Sequence, residues 1–265
     1  MDIMDIPKKN IFKGLVILFL LLIPAYLSAE EIRIEKPLRR LVVGEELTFN
    51  VAWLGINVGT CVAKVKGIEA VAGRSAYVVE LTARTNDILS KIYPVDDKYT
   101  SYIDKEKFIT LKHAVHRREG RYKKDAVTIF DYTTNKAYFA NSLDGSKKTF
   151  DIPGYCQDSL SAAYYFRMLD VKTGDEIEYK VVNNEQVYDI IGVVKNTARL
   201  KIRDKVYDAF YVEPYAKLKG EKVRKGRAGC WFSCGPARIP VYGIVKAPLF
   251  TKVTAALVNT KGGEK

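Results

Sequence analysis

Short runs in which every second residue is apolar recur along most of this chain, and a period of two suits a strand with one buried face. Leu47, Phe49, Val51 and Trp53 alternate with Thr48, Asn50 and Ala52. Tyr77, Val79, Leu81 and Ala83 repeat the pattern, as do Ala126, Thr128, Phe130 and Tyr132, then Ile177, Tyr179 and Val181, then Val253, Ala255 and Leu257. Turn formers separate the runs: Gly55, Asn57 and Gly59, Gly73, Gly120, Asn135, Asn183-Asn184, Asp204 and Gly235-Pro236. Strands are therefore expected near 47–54, 58–66, 76–85, 97–103, 108–117 and 125–132, then near 176–182, 186–194, 206–213, 226–233, 239–247 and 252–259. Short connections between such strands favour antiparallel meanders.

One segment breaks the rule. Asp158 can cap a helix over Ser159–Leu169, a run without Gly or Pro. Leu160, Ala163, Tyr164 and Met168 share one face while Ala162, Phe166 and Leu169 cover another, so this helix is expected to be buried on both flanks. The strands on either side echo each other. Gly44-Glu45-Glu46-Leu47-Thr48-Phe49-Asn50-Val51 is mirrored by Gly174-Asp175-Glu176-Ile177-Glu178-Tyr179-Lys180-Val181, and Ala76–Glu80 by Ala209–Glu213. Such order suggests an internal duplication. The expected fold is mainly β: two related antiparallel β-meanders, curved sheets or half-barrels, over 38–141 and 174–260, with one central helix near 158–169.

The N-terminus reads as an address. Lys8, Lys9 and Lys13 precede an apolar run from Leu15 to Ile23, Pro24 breaks it, and Ala29 offers a small residue before Glu30. This is the pattern of a secretory signal peptide over 1–29, leaving 30–265 as a single exported domain bound for the periplasm, with no membrane span after cleavage. The apolar run is shorter than the roughly 20 residues a spanning helix needs. Export redirects the meaning of charge. The chain carries +12, and removing 1–29 takes away only one net positive charge. Outside the cytoplasm the available anions are lipid headgroups, lipopolysaccharide and acidic glycans rather than nucleic acid. The basic residues gather at Lys112, Arg117, Arg118, Arg121, Lys123 and Lys124, and again at Lys217, Lys219, Lys222, Arg224, Lys225 and Arg227. Two solvated hairpins that keep the protein soluble would look the same.

Chemistry-bearing residues are few. His113 and His116 are the only histidines; three apart on a strand, they face opposite ways and cannot chelate one ion together. No metal or cofactor is expected. Four cysteines, Cys61, Cys156, Cys230 and Cys234, are an even number in an exported chain and permit a disulfide framework, although Cys61 among Gly59 and Ala63 also suits a small buried hydrophobe. The densest polar cluster is Tyr93-Pro94-Val95-Asp96-Asp97-Lys98-Tyr99, followed by Arg117-Arg118-Glu119-Gly120-Arg121-Tyr122. Paired carboxylates can hold a cation or share acid–base work, and they can equally form ion pairs across neighbouring hairpins. The candidate ligand-binding residues are Tyr93, Asp96, Asp97, Tyr99, Arg117, Arg118, Arg121 and Tyr122. No Gly-x-Ser-x-Gly elbow, phosphate-binding Gly loop or His-Glu-x-x-His pattern occurs.

Gly44-Glu45-x-Leu47-Thr48-Phe49-x-Val51-x-Trp53-Leu54-Gly55, Tyr93-Pro94-Val95-Asp96-Asp97-x-Tyr99-x-Ser101-Tyr102-x-Asp104 and Arg118-Glu119-Gly120-x-Tyr122 resemble a bacterial exported family, domain of unknown function 3108. Asp151-Ile152-Pro153, Gln157-Asp158-x-Leu160-Ser161-Ala162-x-Tyr164-Tyr165, Trp231-x-Ser233 and Arg238-Ile239-Pro240-Val241 resemble its later segments. The resemblance implies export and no particular activity, and the cysteines lie outside its pattern. Trp231 to Val258 is also loosely similar to the closing strands of periplasmic lipoprotein carriers, an analogy of fold alone. The expected role is a periplasmic, non-catalytic envelope protein that binds or chaperones an anionic amphiphile, lipid or lipopolysaccharide, on a curved sheet. The alternatives are a glycan-acting enzyme using Asp96, Asp97, Arg118 and Tyr122, and a scaffold for an envelope protein complex.

Overall fold

The structure is a computed structural model that describes residues 40–223, 227–247 and 251–262. The expected signal peptide, and Arg224 and Lys225 of the second basic stretch, lie outside the described residues. The chain first runs through β1 (Glu46–Trp53), β2 (Ile56–Val71), β3 (Arg74–Thr85), the single turn α1 (Asp87–Ser90), β4 (Asp96–Asp104), β5 (Thr110–Glu119), β6 (Tyr122–Asp131), β7 (Lys136–Asn141) and β8 (Lys147–Asp151). A two-residue strand β9 (Gln157–Asp158) leads into α2 (Ser159–Met168). Then follow β10 (Glu176–Asn183), β11 (Gln186–Ile202), β12 (Lys205–Leu218), β13 (Glu221–Lys222), β14 (Arg227–Ser233), β15 (Pro240–Ala247) and β16 (Thr251–Lys261).

The two meanders are one sheet. Neighbouring strands run β8-β7-β6-β5-β4-β3-β2-β1-β16-β15-β14-β12-β11-β10-β9, with β13 beside β12. The halves are stitched where β1 pairs antiparallel with β16, Leu47 opposite Thr260 and Trp53 opposite Val253. The alternating positions behave as the period requires: Leu47, Phe49, Leu257 and Ala255 turn inward at this junction and pack with Ala63, Ala209, Ile239 and Val241. All twelve strands expected from the sequence are present, and β7, β8, β9 and β13 are additional. Lys147-Lys148-Thr149-Phe150-Asp151 lacks an apolar alternation because β8 is an edge strand with most side chains exposed.

The two halves match in detail. Gly44 and Gly174 both take positive φ, +90° and +98°. The Gly44 N–H donates to the Val65 carbonyl and the Gly174 N–H to the Val194 carbonyl, each at 2.8 Å. Val65 and Val194 return a hydrogen bond to the carbonyls of Glu45 and Asp175. Immediately after each valine the next hairpin carries a bulge, Val65/Gly67 in one half and Val194/Asn196 in the other.

The wall is curved and unclosed. Where β6 and β7 come alongside β10 and β11 no backbone ladder runs. Side chains fill that seam: Phe130, Ala137, Ile152, Cys156 and Val182 form one apolar cluster, and the Lys124 ammonium donates to Glu185 at 3.2 Å.

Helix α2 lies in the concavity. Asp158 caps it as the sequence indicates, its Oδ1 accepting from the N–H groups of Leu160 (2.7 Å) and Ser161 (3.0 Å), and Ser161 Oγ completes a capping box. Leu160, Tyr164, Tyr165, Phe166 and Met168 are all buried against both halves, with Val65, Val79, Ile103, Tyr179, Ile190, Val212 and Phe232 among their neighbours. Burying one such side chain stabilises by roughly 1.5–3 kcal/mol. Polar contacts fix the register of the helix. Ser101 and Thr110 hydroxyls donate to the Asp158 carboxylate at 2.7 and 2.9 Å, and Arg167 grips Glu45 with two hydrogen bonds of 2.7 and 2.6 Å in the core.

Candidate functional site

Two segments far apart in sequence meet at one end of the sheet. The Gly120 N–H donates to the Pro94 carbonyl at 2.8 Å, and Val95 bridges Glu119. Gly120 has φ +56°, and a Cβ there would sit 2.9 Å from the Tyr93 ring, so only glycine lets the β5–β6 turn close against Tyr93. This brings Tyr93–Tyr99 beside Arg117–Tyr122, as a cross-strand ion-pair reading requires.

The strand period then divides the eight candidate residues. Asp97, Tyr99 and Arg117 point inward and are buried. The Tyr99 hydroxyl donates to Asp97 Oδ2 at 3.3 Å, and Arg117 Nη2 donates to Glu119 Oε1 at 2.5 Å with its Nε 3.7 Å from Asp97. The Arg117 guanidinium stacks 4.8 Å above the Tyr122 ring. Asp96 and Arg118 turn the other way: Asp96 pairs with exposed Arg84 at 2.8 Å, and Arg118 with Asp125 at 2.5 Å. Arg121 is exposed at the turn. The four residues of the glycan-enzyme reading thus do not converge on one cleft, because adjacent strand residues face opposite sides of the sheet.

Glu119, not singled out from the sequence, completes the inward group. It is 1% exposed, and burial pushes its carboxyl up to about 7; Asp97 adds to the rise while Arg117 opposes it. Two carboxylates thus share one guanidinium inside the wall. The first basic stretch is accordingly no simple solvated hairpin, since Arg117, Arg118 and Lys124 are all in ion pairs.

The histidines face opposite ways, as their spacing demands. His116 reaches Asp125 outside, whereas His113 lies inside, stacked on Tyr99 and 3.8 Å from Asp158. Among the described residues no three His, Cys, Asp or Glu side chains gather as a metal site. The disulfide framework is absent: all four thiols are free. Cys61 sits opposite Phe49 and Ala83, Cys230 opposite Val212 and Gly243, so neither has a cysteine as its cross-strand partner. Burial raises Cys61, Cys156 and Cys230 to about 12, while Cys234 is exposed.

Between α2 and the concave wall lies a cavity of about 230 Å³. Its lining is mostly apolar: Leu47, Phe49, Leu81 and Val115 from one half, Tyr179, Val212, Phe232 and Val253 from the other, with Ala163, Tyr164 and Phe166 from α2. Cys61 and Cys230 also face it. Of the eight candidates only Tyr99 and Arg117 line it. The cations that reach it are engaged already, Arg84 with Asp96, Arg117 with Glu119, Lys124 with Glu185 and Arg167 with Glu45. Four buried polar atoms of its lining residues have no hydrogen-bond partner, Tyr164 Oη, His113 Nε2, Asn183 Nδ2 and Arg117 Nε, the last of them 3.7 Å from Asp97. Inward alternation in the sequence selects the lining residues, but it cannot tell a residue facing empty space from one packed solid.

The sequence matches, over residues 48–249, the profile of a family described as Protein of unknown function (DUF3108). No curated protein matches it. Among solved structures it is similar to a β-barrel-like protein of the domain of unknown function DUF1849 from Brucella abortus, with a TM-score of 0.57 at 10% identity over 83% of this chain and 98% of that one. A protein from Bacteroides fragilis described as exported, with a YmcC-like fold, aligns with a TM-score of 0.35 at 12% identity over 85% of this chain and 99% of that one. No helix among the described residues is long and apolar enough to cross a membrane.

Proposed function

The chain belongs to the DUF3108 family of proteins of unknown function, and on that premise we propose that it is a periplasmic, non-catalytic envelope protein that shelters the acyl part of an amphiphile between α2 and its curved sheet. The observation that carries this reading is the apolar cavity of about 230 Å³, with Tyr164 Oη and His113 Nε2 in its lining making no hydrogen bond. An unfilled apolar space forfeits packing that a hydrocarbon chain would restore. The two polar atoms can orient a ligand's ester or hydroxyl group. Because the inner cations are already paired, an anionic headgroup is better served outside, among the exposed basic residues. Charge matched against charge in the wall would then serve the fold, and hydrocarbon would fill the interior.

Native mass spectrometry of the protein purified in mild detergent tests this directly: a co-purifying lipid mass is expected. Ala163→Trp, which places an indole in the cavity, should abolish both that adduct and the binding of a fluorescent fatty acid without altering the circular-dichroism spectrum. A clean apo mass together with fluorescent-probe binding that survives Ala163→Trp would overturn the reading.

A further inference from the structure

The four most exposed large hydrophobic side chains among the described residues are Ile92 (80%), Ile88 (78%), Ile56 (71%) and Leu54 (58%), and all stand at one end of the sheet. Ile88 lies within the single turn of α1 and Ile92 two residues beyond it, and Leu54 and Ile56 flank Gly55 in the β1–β2 turn. Hydrogen bonds hold these two tips side by side. The Asn86 N–H donates to the Val58 carbonyl at 2.9 Å, and Asn86 Nδ2 to the Asn57 carbonyl at 2.8 Å. Val58, Gly59 and Thr85, next to both tips, line the cavity, so the apolar tips adjoin its lining.

The neighbouring strands supply charge. The Leu54 N–H donates to the Lys252 carbonyl at 2.9 Å, and the register sets Lys252 opposite Lys246 and Lys246 opposite Arg227. Val253, Val245 and Ala228 are buried beside them, so this row of three cations stands on the outer face, exposed and in no ion pair among the described residues. Lys91 adds a fourth exposed cation between Ile88 and Ile92 in the chain, and Asp87 is an exposed acid.

We propose that this end of the molecule docks on an anionic lipid bilayer, its four aliphatic side chains entering the acyl boundary while Arg227, Lys246 and Lys252 meet the headgroups. Aliphatic side chains held in water by a folded scaffold gain most from an acyl phase, and basic residues beside them select anionic lipid. Pairing this end with a second copy about a two-fold axis would instead set the cation rows towards each other. The docking does not require the cavity to be filled, so it stands or fails separately from the ligand reading.

The test is vesicle flotation of the chain from Glu30 onward, which keeps every described residue and omits the apolar N-terminal run that could itself bind lipid. Binding to phosphatidylcholine vesicles containing 30% phosphatidylglycerol is expected, with little binding to phosphatidylcholine alone. Ile88→Asp with Ile92→Asp should weaken it at least tenfold, and Lys246→Glu with Lys252→Glu should remove the preference for the anionic lipid. Ile129→Asp, an exposed site on β6 away from this end, should bind as the parent does. All five side chains are exposed, so thermal unfolding should be unchanged. Absence of binding to either vesicle, or equal binding by the aspartate pair and the parent, would overturn the proposal. So would a loss confined to self-association in light scattering.

Discussion

Lys124 on β6 and Glu185 in the β10–β11 turn meet at 3.2 Å across the seam where the sheet has no backbone ladder. The Lys124 ammonium also sits 4.7 Å above the Phe139 ring, which limits how far it can swing. Both side chains are partly exposed, so Lys124→Ala should lower global stability by only about 0–1 kcal/mol. The larger effect should be local. Amide hydrogen exchange at 122–126 and 182–187 should accelerate while β3 and β12 stay protected; unchanged exchange at the seam would mean the apolar cluster alone holds it shut.

Arg167 and Glu45 form the opposite kind of pair, bidentate and fully enclosed. Arg167→Ala leaves a carboxylate in the core with no counter-charge and should cost about 3–5 kcal/mol in urea denaturation. Replacing both with methionine should cost much less than the two single changes together. A strictly additive double variant would show that the two side chains do not act as a unit.

Glu119 predicts a pH dependence with a definite sign. Its carboxyl titrates near 7 in the folded protein, raised chiefly by burial, against about 4.3 in an unfolded chain. The folded state therefore holds the proton more tightly, and its contribution to stability is largest below pH 4, declining as pH rises to about 7. Glu119→Gln removes that titration. The stability difference between variant and parent should shift in the variant's favour from pH 5 to pH 8, and a difference constant over that range would contradict the assignment.

The thiols should react in two classes. Cys234 is exposed, whereas burial holds Cys61, Cys156 and Cys230 up at about 12. An uncharged maleimide at pH 7 should label Cys234 first and the other three more than tenfold slower, and denatured protein should titrate four thiols without any reductant. Two missing thiols would restore the disulfide framework.

Parity along the strands carried more of the site than residue type did. Asp96 and Asp97 look like a pair in the sequence, yet neighbouring positions on β4 fall on opposite faces, one with Arg84 outside and one beside Arg117 inside. The same parity groups Arg117 with Glu119 and Val115, and would have found Glu119 had charge at the turn not suggested a solvated tip. Helix α2 was legible to its cap, because Asp158 and a two-sided apolar run can serve only a helix buried on both flanks.

The sequence by itself determined much of the local layer: twelve of the strands, where their turns fall, which face of each is apolar, and that one helix must be buried. Those properties depend on neighbours within a few positions. The matching glycine turns and bulges of the two halves continue the echo read from the sequence, and we propose that they descend from one duplicated meander. Only the tertiary structure decided that β1 and β16 merge both meanders into one wall, that a seam is left at Lys124 and Glu185, and that a cavity survives around α2. Curvature, closure and unfilled volume arise from the summed twist and packing of sixteen strands, and alternation is the same whether a strand faces a solid core or an open space.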